Sequence, residues 1–224
     1  MGKWVGVLLS GCGALDGTEI HGAVLTLLCL DRSGAEAICA APDVDQVHVL
    51  NHMSNEEMAQ RRNVLIESAR IARGNIIDSN SLKAERIDAL MLPGGFGAIK
   101  NLCDFALKGP DAVVHQQVER LLRQIHAAGK PIGALGIASV TVARALSAFS
   151  PAVTIGEDGR IAAALETMGA THHRCRADEI HIDARNKIVT TPAYMPAPGT
   201  PGPGIGDVAA GIEKLVDHLL ALAG

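Results

Sequence analysis

Aromatic residues are nearly missing from this sequence, with one Trp, one Tyr and three Phe among 224 residues. Nucleic-acid binding draws on stacking rings and on net positive charge. The formal net charge is −4, so neither is present and no nucleic-acid partner is expected. No apolar run reaches the roughly 18 residues of a membrane helix, so no membrane partner is expected either. The five cysteines fall in no CxxC or other ligand spacing, which argues against a metal site. No cofactor is expected. The odd cysteine count suits reduced thiols. The first residues lack the charged, apolar and small-residue order of a signal peptide, and together these point to the cytoplasm.

What the chain does have is Ala, Val, Ile and Leu in quantity, with 48% hydrophobic and 20% charged residues. That composition suits one globular domain over residues 1–224. Short apolar runs alternate with helical spacing. Strands are expected at Lys3–Leu9, Glu36–Ala41, Asn75–Asp78, Ala89–Leu92, Pro131–Leu135 and Val153–Ile155, with a short extra one at Val47–Leu50. Helices are expected at Glu19–Arg32, Arg62–Arg73, Ala112–Ala128, Ile137–Leu146, Arg160–Met168 and Asp207–Leu222. Glu179–Asp183 and Lys187–Thr191 flank the turn residues Ala184-Arg185-Asn186 and read as a hairpin. Such alternation implies an α/β fold with a mostly parallel sheet covered on both faces. Pro196–Gly204 reads as a surface loop.

Ligands of such sheets bind beyond the carboxyl ends of the central strands. Three loops fit: Ser10–Gly17, Pro93–Gly97 and the turn at Gly136. Gly94, Gly95 and Gly97 can aim successive N–H groups into one concavity, as an oxyanion or anion nest would. The same glycines could equally make a tight strand-to-helix turn with no ligand. Gly133–Ala138 has the outline of a nucleophile elbow, where a strand breaks sharply into a helix. The apex of that elbow is glycine, which relieves strain but has no atom for attack.

Taken together, SGCGALDGTEIH (Ser10–His21), RNVLIESARIARG (Arg62–Gly74), LPGGFGAIKNL (Leu92–Leu102), AGKPIG (Ala128–Gly133) and NKIVTTPAYM (Asn186–Met195) resemble the ElbB family. ElbB proteins belong to the class I glutamine amidotransferase-like superfamily, with the PfpI proteases and glyoxalase III enzymes. The resemblance implies a flavodoxin-like three-layer sandwich, a homodimer and glyoxalase-type activity on small 2-oxoaldehydes. A link to isoprenoid biosynthesis travels with the name. In the family the elbow reads close to Cys-Ile-Ala-Pro, whereas this chain has Gly136-Ile137-Ala138-Ser139. The family also places Glu after Glu-Ile-His, where this chain has Glu19-Ile20-His21-Gly22. Thiol and partner carboxylate are thus both replaced by glycine.

By the same resemblance, Gly94, Gly95 and Gly97 keep the nest, with Ile137 beside the elbow, while Lys100 and Asn101 add a cation and an amide near the rim. Asp16, Glu19, His21, Thr190, Thr191 and Tyr194 are retained. Cys12 is the best substitute nucleophile, and His21 or Glu19 would carry any acid–base work. Three readings stay open. The chain acts weakly on a small carbonyl or anionic metabolite. Alternatively it binds a small anion or a partner without turnover, or it has been repurposed for a larger substrate. Because thiol catalysis needs the missing sulfur, weak or absent glyoxalase activity is expected.

Overall fold

The computed structural model describes residues 2–195 and 199–224. In chain order the elements are β1 (Trp4–Leu8), α1 (Ile20–Arg32), β2 (Glu36–Ala41), α2 (Val64–Ile71), β3 (Ile76–Asp78), β4 (Ala89–Leu92), α3 (Gly97–Lys100), α4 (Phe105–Lys108) and α5 (Gln116–Ala127). They continue with β5 (Ile132–Leu135), α6 (Ala138–Ala145), β6 (Ala152–Val153), α7 (Gly159–Thr167), β7 (Thr171–His172), β8 (His181–Asp183), β9 (Ile188–Thr191) and α8 (Ile205–Leu222). Seven strands form one sheet in the order β3-β2-β1-β4-β5-β9-β8. All neighbours run parallel except the β8–β9 hairpin. This is the flavodoxin-like three-layer α/β sandwich expected from the sequence.

Alternation along each strand sends side chains to two cores. On β1, Val5 and Val7 join the core under α1, α2 and α8, while Leu8 joins the one under α3, α5 and α6. On β4, Ala89 and Met91 go one way and Leu90 and Leu92 the other. Every residue of β4, β5 and β9 is buried, which explains why these strands read as unbroken apolar or Thr-bearing runs. Side chains cap the helix starts: Glu19, Asn63 and Asp158 accept backbone N–H groups of α1, α2 and α7.

The chain runs β1→β2→β3 to one side, then returns to place β4 and β5 on the other side of β1. The loops after β1, β4, β5 and β9 therefore meet at one end of the sheet, at the strand-order reversal.

Some expectations are corrected. The extra strand at Val47–Leu50 does not form. Its N–H groups are taken by side chains instead: Val47 N donates to Asn101 Oδ1 and Leu50 N to Asp16 Oδ2, leaving only the isolated bridges Asp45–Asn63 and Leu50–Glu57. The helix expected from Ala112 starts at Gln116, because Val113 N is held by Asp104 Oδ1 and His115 N by Leu102 O. The short helices α3 and α4 and strand β7 were not foreseen, and the strand expected at Val153–Ile155 forms as Ala152–Val153, paired with β7. Of the loop Pro196–Gly204, residues 196–198 lie outside the described residues.

Candidate functional site

A cavity of about 210 Å³ opens where those four loops converge. Ala14 comes from the loop after β1, and Gly94, Gly95 and Phe96 from the loop after β4. Leu135, Gly136 and Ile137 come from the β5–α6 turn, and Pro192–Met195 from the exit of β9. Glu19 and Gly22 close it from the start of α1.

The β5–α6 turn has the elbow geometry. Gly136 sits at φ +52° in the left-handed region, its N–H donates 2.7 Å to Thr191 O, and its carbonyl receives Ser139 N at 3.1 Å. A side chain here would start in crowded space. Its Cβ would stand 2.9 Å from Pro192 O and 3.3 Å from Met195 Cγ. The segment after β9 therefore lies over the apex, in the volume a nucleophile's side chain would enter. That segment includes Ala193 at φ +51°, a conformation that costs a non-glycine residue about 1–2 kcal/mol. The buried Ala193 side chain and the Met195 N to Pro192 O turn hold it there.

Gly22 faces the cavity from α1. A Cβ there would lie 3.2 Å from Glu19 Oε2 and 3.3 Å from Leu135 Cδ1. Glu19 Oε2 accepts Gly22 N at 2.6 Å, and Oε1 accepts His21 N at 3.1 Å. The Glu19 carboxylate is thus oriented by the first turn of α1 and sits against the place left bare at Gly22. Its side chain is 18% exposed.

The glycine turn after β4 is built for close approach. A Cβ on Gly94 would come 2.9 Å from Leu135 O. Gly95, at φ +102°, packs its Cα against the Gly17 carbonyl and the Glu19 amide. Phe96 N donates to Ala14 O and Gly97 N to Gly17 O, so these amides are already spent. Among the described residues, the N–H groups of Gly94, Gly95 and Ile137, all residues of the cavity lining, donate to no protein atom.

Several sequence candidates fall elsewhere. Gly97 is a packing glycine, whose Cβ would meet Ser10 O at 2.5 Å, and it does not line the cavity. Lys100 does not line the cavity; its Nζ donates to Leu15 O at 2.9 Å and lies 5.8 Å from the ring centroid of Phe96. Asn101 is buried and braces the β1 loop, donating to Ser10 O and Asp16 O and accepting from Val47 N. Both were expected near the cavity. They sit instead beside a separate groove with Asp45 and His115, because the β1 loop supplies them with carbonyl partners. Cys12 also lies outside the lining, and burial first, then Glu67, pushes its thiol up, away from thiolate character.

His21 stands just outside the lining, with a side chain 56% exposed. Its Nδ1 lies 2.9 Å from the Tyr194 hydroxyl and 4.0 Å from Glu19 Oε1. Burial first, and Glu19 second, push the Tyr194 phenol up. Among the described residues the lining contains one carboxylate and no Lys or Arg. The contributions of Ala14, Phe96, Pro192, Ala193 and Met195 were not read from the sequence. The rule placing ligands at strand ends pointed to the first two loops, but nothing marked the β9 exit as a cover.

The chain is 48% identical over 201 residues to the human "Glutamine amidotransferase-like class 1 domain-containing protein 3, mitochondrial", spanning 85% of this chain and 74% of that one. The chain belongs to this class 1 glutamine amidotransferase-like family. The ElbB resemblance fits that placement. A crystal structure from Ehrlichia chaffeensis, described as an isoprenoid biosynthesis protein with amidotransferase-like domain, superposes with a TM-score of 0.91 at 33% identity, covering 99% of this chain and 100% of that one. Drosophila melanogaster DJ-1beta shares the fold, with a TM-score of 0.53 at 16% identity over 100% and 96% of the two chains. No protein-family model matches the chain. Among the described residues of this family member, no helix is long and apolar enough to cross a membrane.

Proposed function

We propose that this family member binds a small uncharged carbonyl compound in the cavity between Gly22 and Gly136 and performs no glyoxalase chemistry of the thiol type. One observation carries the reading. The elbow keeps its left-handed backbone but has no side chain, and Pro192 O and Met195 stand where one would project. A nucleophile-dependent reaction loses nearly all its rate without the attacking atom. The unspent N–H groups of Gly95 and Ile137 suit a carbonyl oxygen. The anionic alternative is less favoured, since the lining supplies a carboxylate and, among the described residues, no cation to offset a ligand's negative charge. The name of the Ehrlichia protein suggests an isoprenoid context, but a diphosphate would meet the same difficulty.

The proposal extends to setting. The cysteines among the described residues are free, which suits a reducing compartment such as the cytoplasm, although the human relative is named mitochondrial. Ile20, Val24 and Leu28 are exposed one turn apart on α1 and offer the expected homodimer a surface.

Ligand-observed NMR tests the reading with hydroxyacetone as the uncharged probe and pyruvate as the anion. Saturation transfer to hydroxyacetone is expected, with loss of signal in a cavity-filling Gly22→Leu variant. Preference for pyruvate, or hydroxyacetone binding indifferent to Gly22→Leu, would sink the proposal.

A further inference from the structure

Glu19 and Tyr194 both line the cavity, and a thiol mechanism based on the elbow leaves their pairing without a role. His21 Nδ1 joins them, 2.9 Å from the phenol oxygen and 4.0 Å from the carboxylate. The two oxygens are therefore at most 6.9 Å apart, the sum of those legs. Removing a proton next to a carbonyl needs a base at the α-carbon and a donor at the carbonyl oxygen. Those atoms are ~2.4 Å apart, so an acid and a base each about 3 Å from their targets stand roughly 5–8 Å from one another. The upper limit of 6.9 Å for the pair lies inside that span.

The chemistry of each group fits as well. Glu19 is fixed by two N–H bonds from the first turn of α1, one to each oxygen, which leaves each oxygen a second lone pair. The phenol stays protonated well into alkaline solution, because burial and then Glu19 push it up. Gly136 gives up the nucleophile, but neither Glu19 nor Tyr194 depends on it.

We propose that Glu19 and Tyr194 form a thiol-independent proton-transfer pair that enolises a small uncharged ketone or aldehyde, with His21 as the positioning residue for Tyr194. The proposal rests on the carbonyl-binding reading above and adds an activity to it. In the step, the α-carbon–hydrogen bond breaks and its proton passes to a Glu19 oxygen. The electron pair becomes the carbon–carbon double bond, and the carbonyl oxygen takes the Tyr194 proton. Reversal restores the ketone, the phenol and the carboxylate, so no oxidant, reductant or second substrate is consumed. Glu19 is partly exposed and exchanges its captured proton with water before reversal.

Hydroxyacetone in D2O provides the test. Proton NMR follows loss of its α-protons, and saturation transfer on the same samples follows binding. Wild type is expected to exchange faster than heat-denatured protein. Tyr194→Phe and Glu19→Gln should each lower the rate by about 100-fold or more while the binding signal persists. His21→Gln should lower the exchange rate at saturating hydroxyacetone while leaving its KM and the binding signal unchanged, as expected of a residue that positions Tyr194. Binding without exchange in wild type overturns the pair and leaves the cavity reading intact, as does exchange that survives both Tyr194→Phe and Glu19→Gln. Absence of binding in wild type overturns both. Because Glu19 also caps α1, thermal melting accompanies the Glu19→Gln measurement, and Tyr194→Phe carries the decision if that variant unfolds.

Discussion

The turns after β4 and β5 lie side by side at the same end of the sheet, and glycine serves opposite ends in them. In the β4 turn, Gly95 and Gly97 are pressed against backbone: the Gly17 carbonyl, the Glu19 amide and Ser10 O. Those atoms belong to a loop held by Asn101, Lys100 and Thr18, and they cannot retreat. In the β5 turn, Gly136 meets the Pro192 carbonyl and Cγ of Met195, and Gly22 opposite meets a carboxylate oxygen and a Leu methyl. The β4 glycines hold the fold's close approaches. The β5 and α1 glycines line the cavity, and under the proposed function they stand where a nucleophile and its carboxylate would be.

The contrast can be broken by filling each glycine. Gly97→Ala is expected to have the largest effect, about 3 kcal/mol or more, or failure to fold, because its Cβ would lie 2.5 Å from Ser10 O with no room to move. Urea denaturation measures it, and a loss under about 1 kcal/mol would erase the distinction between the turns. Asn101→Ala follows, at roughly 2–3 kcal/mol, since Ser10 O, Asp16 O and Val47 N would be left without their buried partner. Gly136→Ala should cost about 1–2 kcal/mol, combining the left-handed backbone at φ +52° with the 2.9 Å approach to Pro192 O. Gly22→Ala should be nearly neutral or stabilising by up to about 0.5 kcal/mol, as helix propensity offsets two contacts that can yield.

A second contrast concerns pH. The cavity end carries few groups pressed by burial, whereas His173, just after β7, stacks on His181 of β8 with centroids 3.9 Å apart at 9°. Burial first lowers both His172 and His181, with His173 adding to each; Glu166 and Asp183 oppose and Arg174 assists. Among the described residues, the Nε2 atoms of His172 and His181 have no hydrogen-bond partner. A histidine lowered in the folded state binds protons better when unfolded. Stability is therefore complete above the ordinary histidine value of about 6.5 and falls as pH drops through it. Melting temperature should decline from neutral to mildly acid pH, and His181→Phe should flatten that decline.

Much of this was legible beforehand. Buried strands such as Ala89–Leu92 and Ile132–Leu135 announce themselves as short apolar runs, and Gly34, Gly74 and Gly129 mark helix ends with positive φ. The elbow and its glycine apex could be read from Gly133–Ala138. Less legible was anything decided by a side chain reaching across the fold. Val47–Leu50 has the pattern of a strand, yet Asn101 and Asp16 intercept its N–H groups. Lys100 has the charge of a rim residue, yet Leu15 O captures it. The cover formed by Pro192–Met195 depends on Ala193 at φ +51°, which no local pattern of Ala or Tyr foretells.

The central claim is that the β5 turn holds an elbow with no nucleophile and none supplied from elsewhere. Lactate formation from methylglyoxal, measured on wild type before and after alkylation of its thiols, addresses it directly. Wild type is expected to match heat-denatured protein in both states. Robust lactate formation that alkylation abolishes would mean that another cysteine, Cys12 foremost, does the work assigned to a missing one.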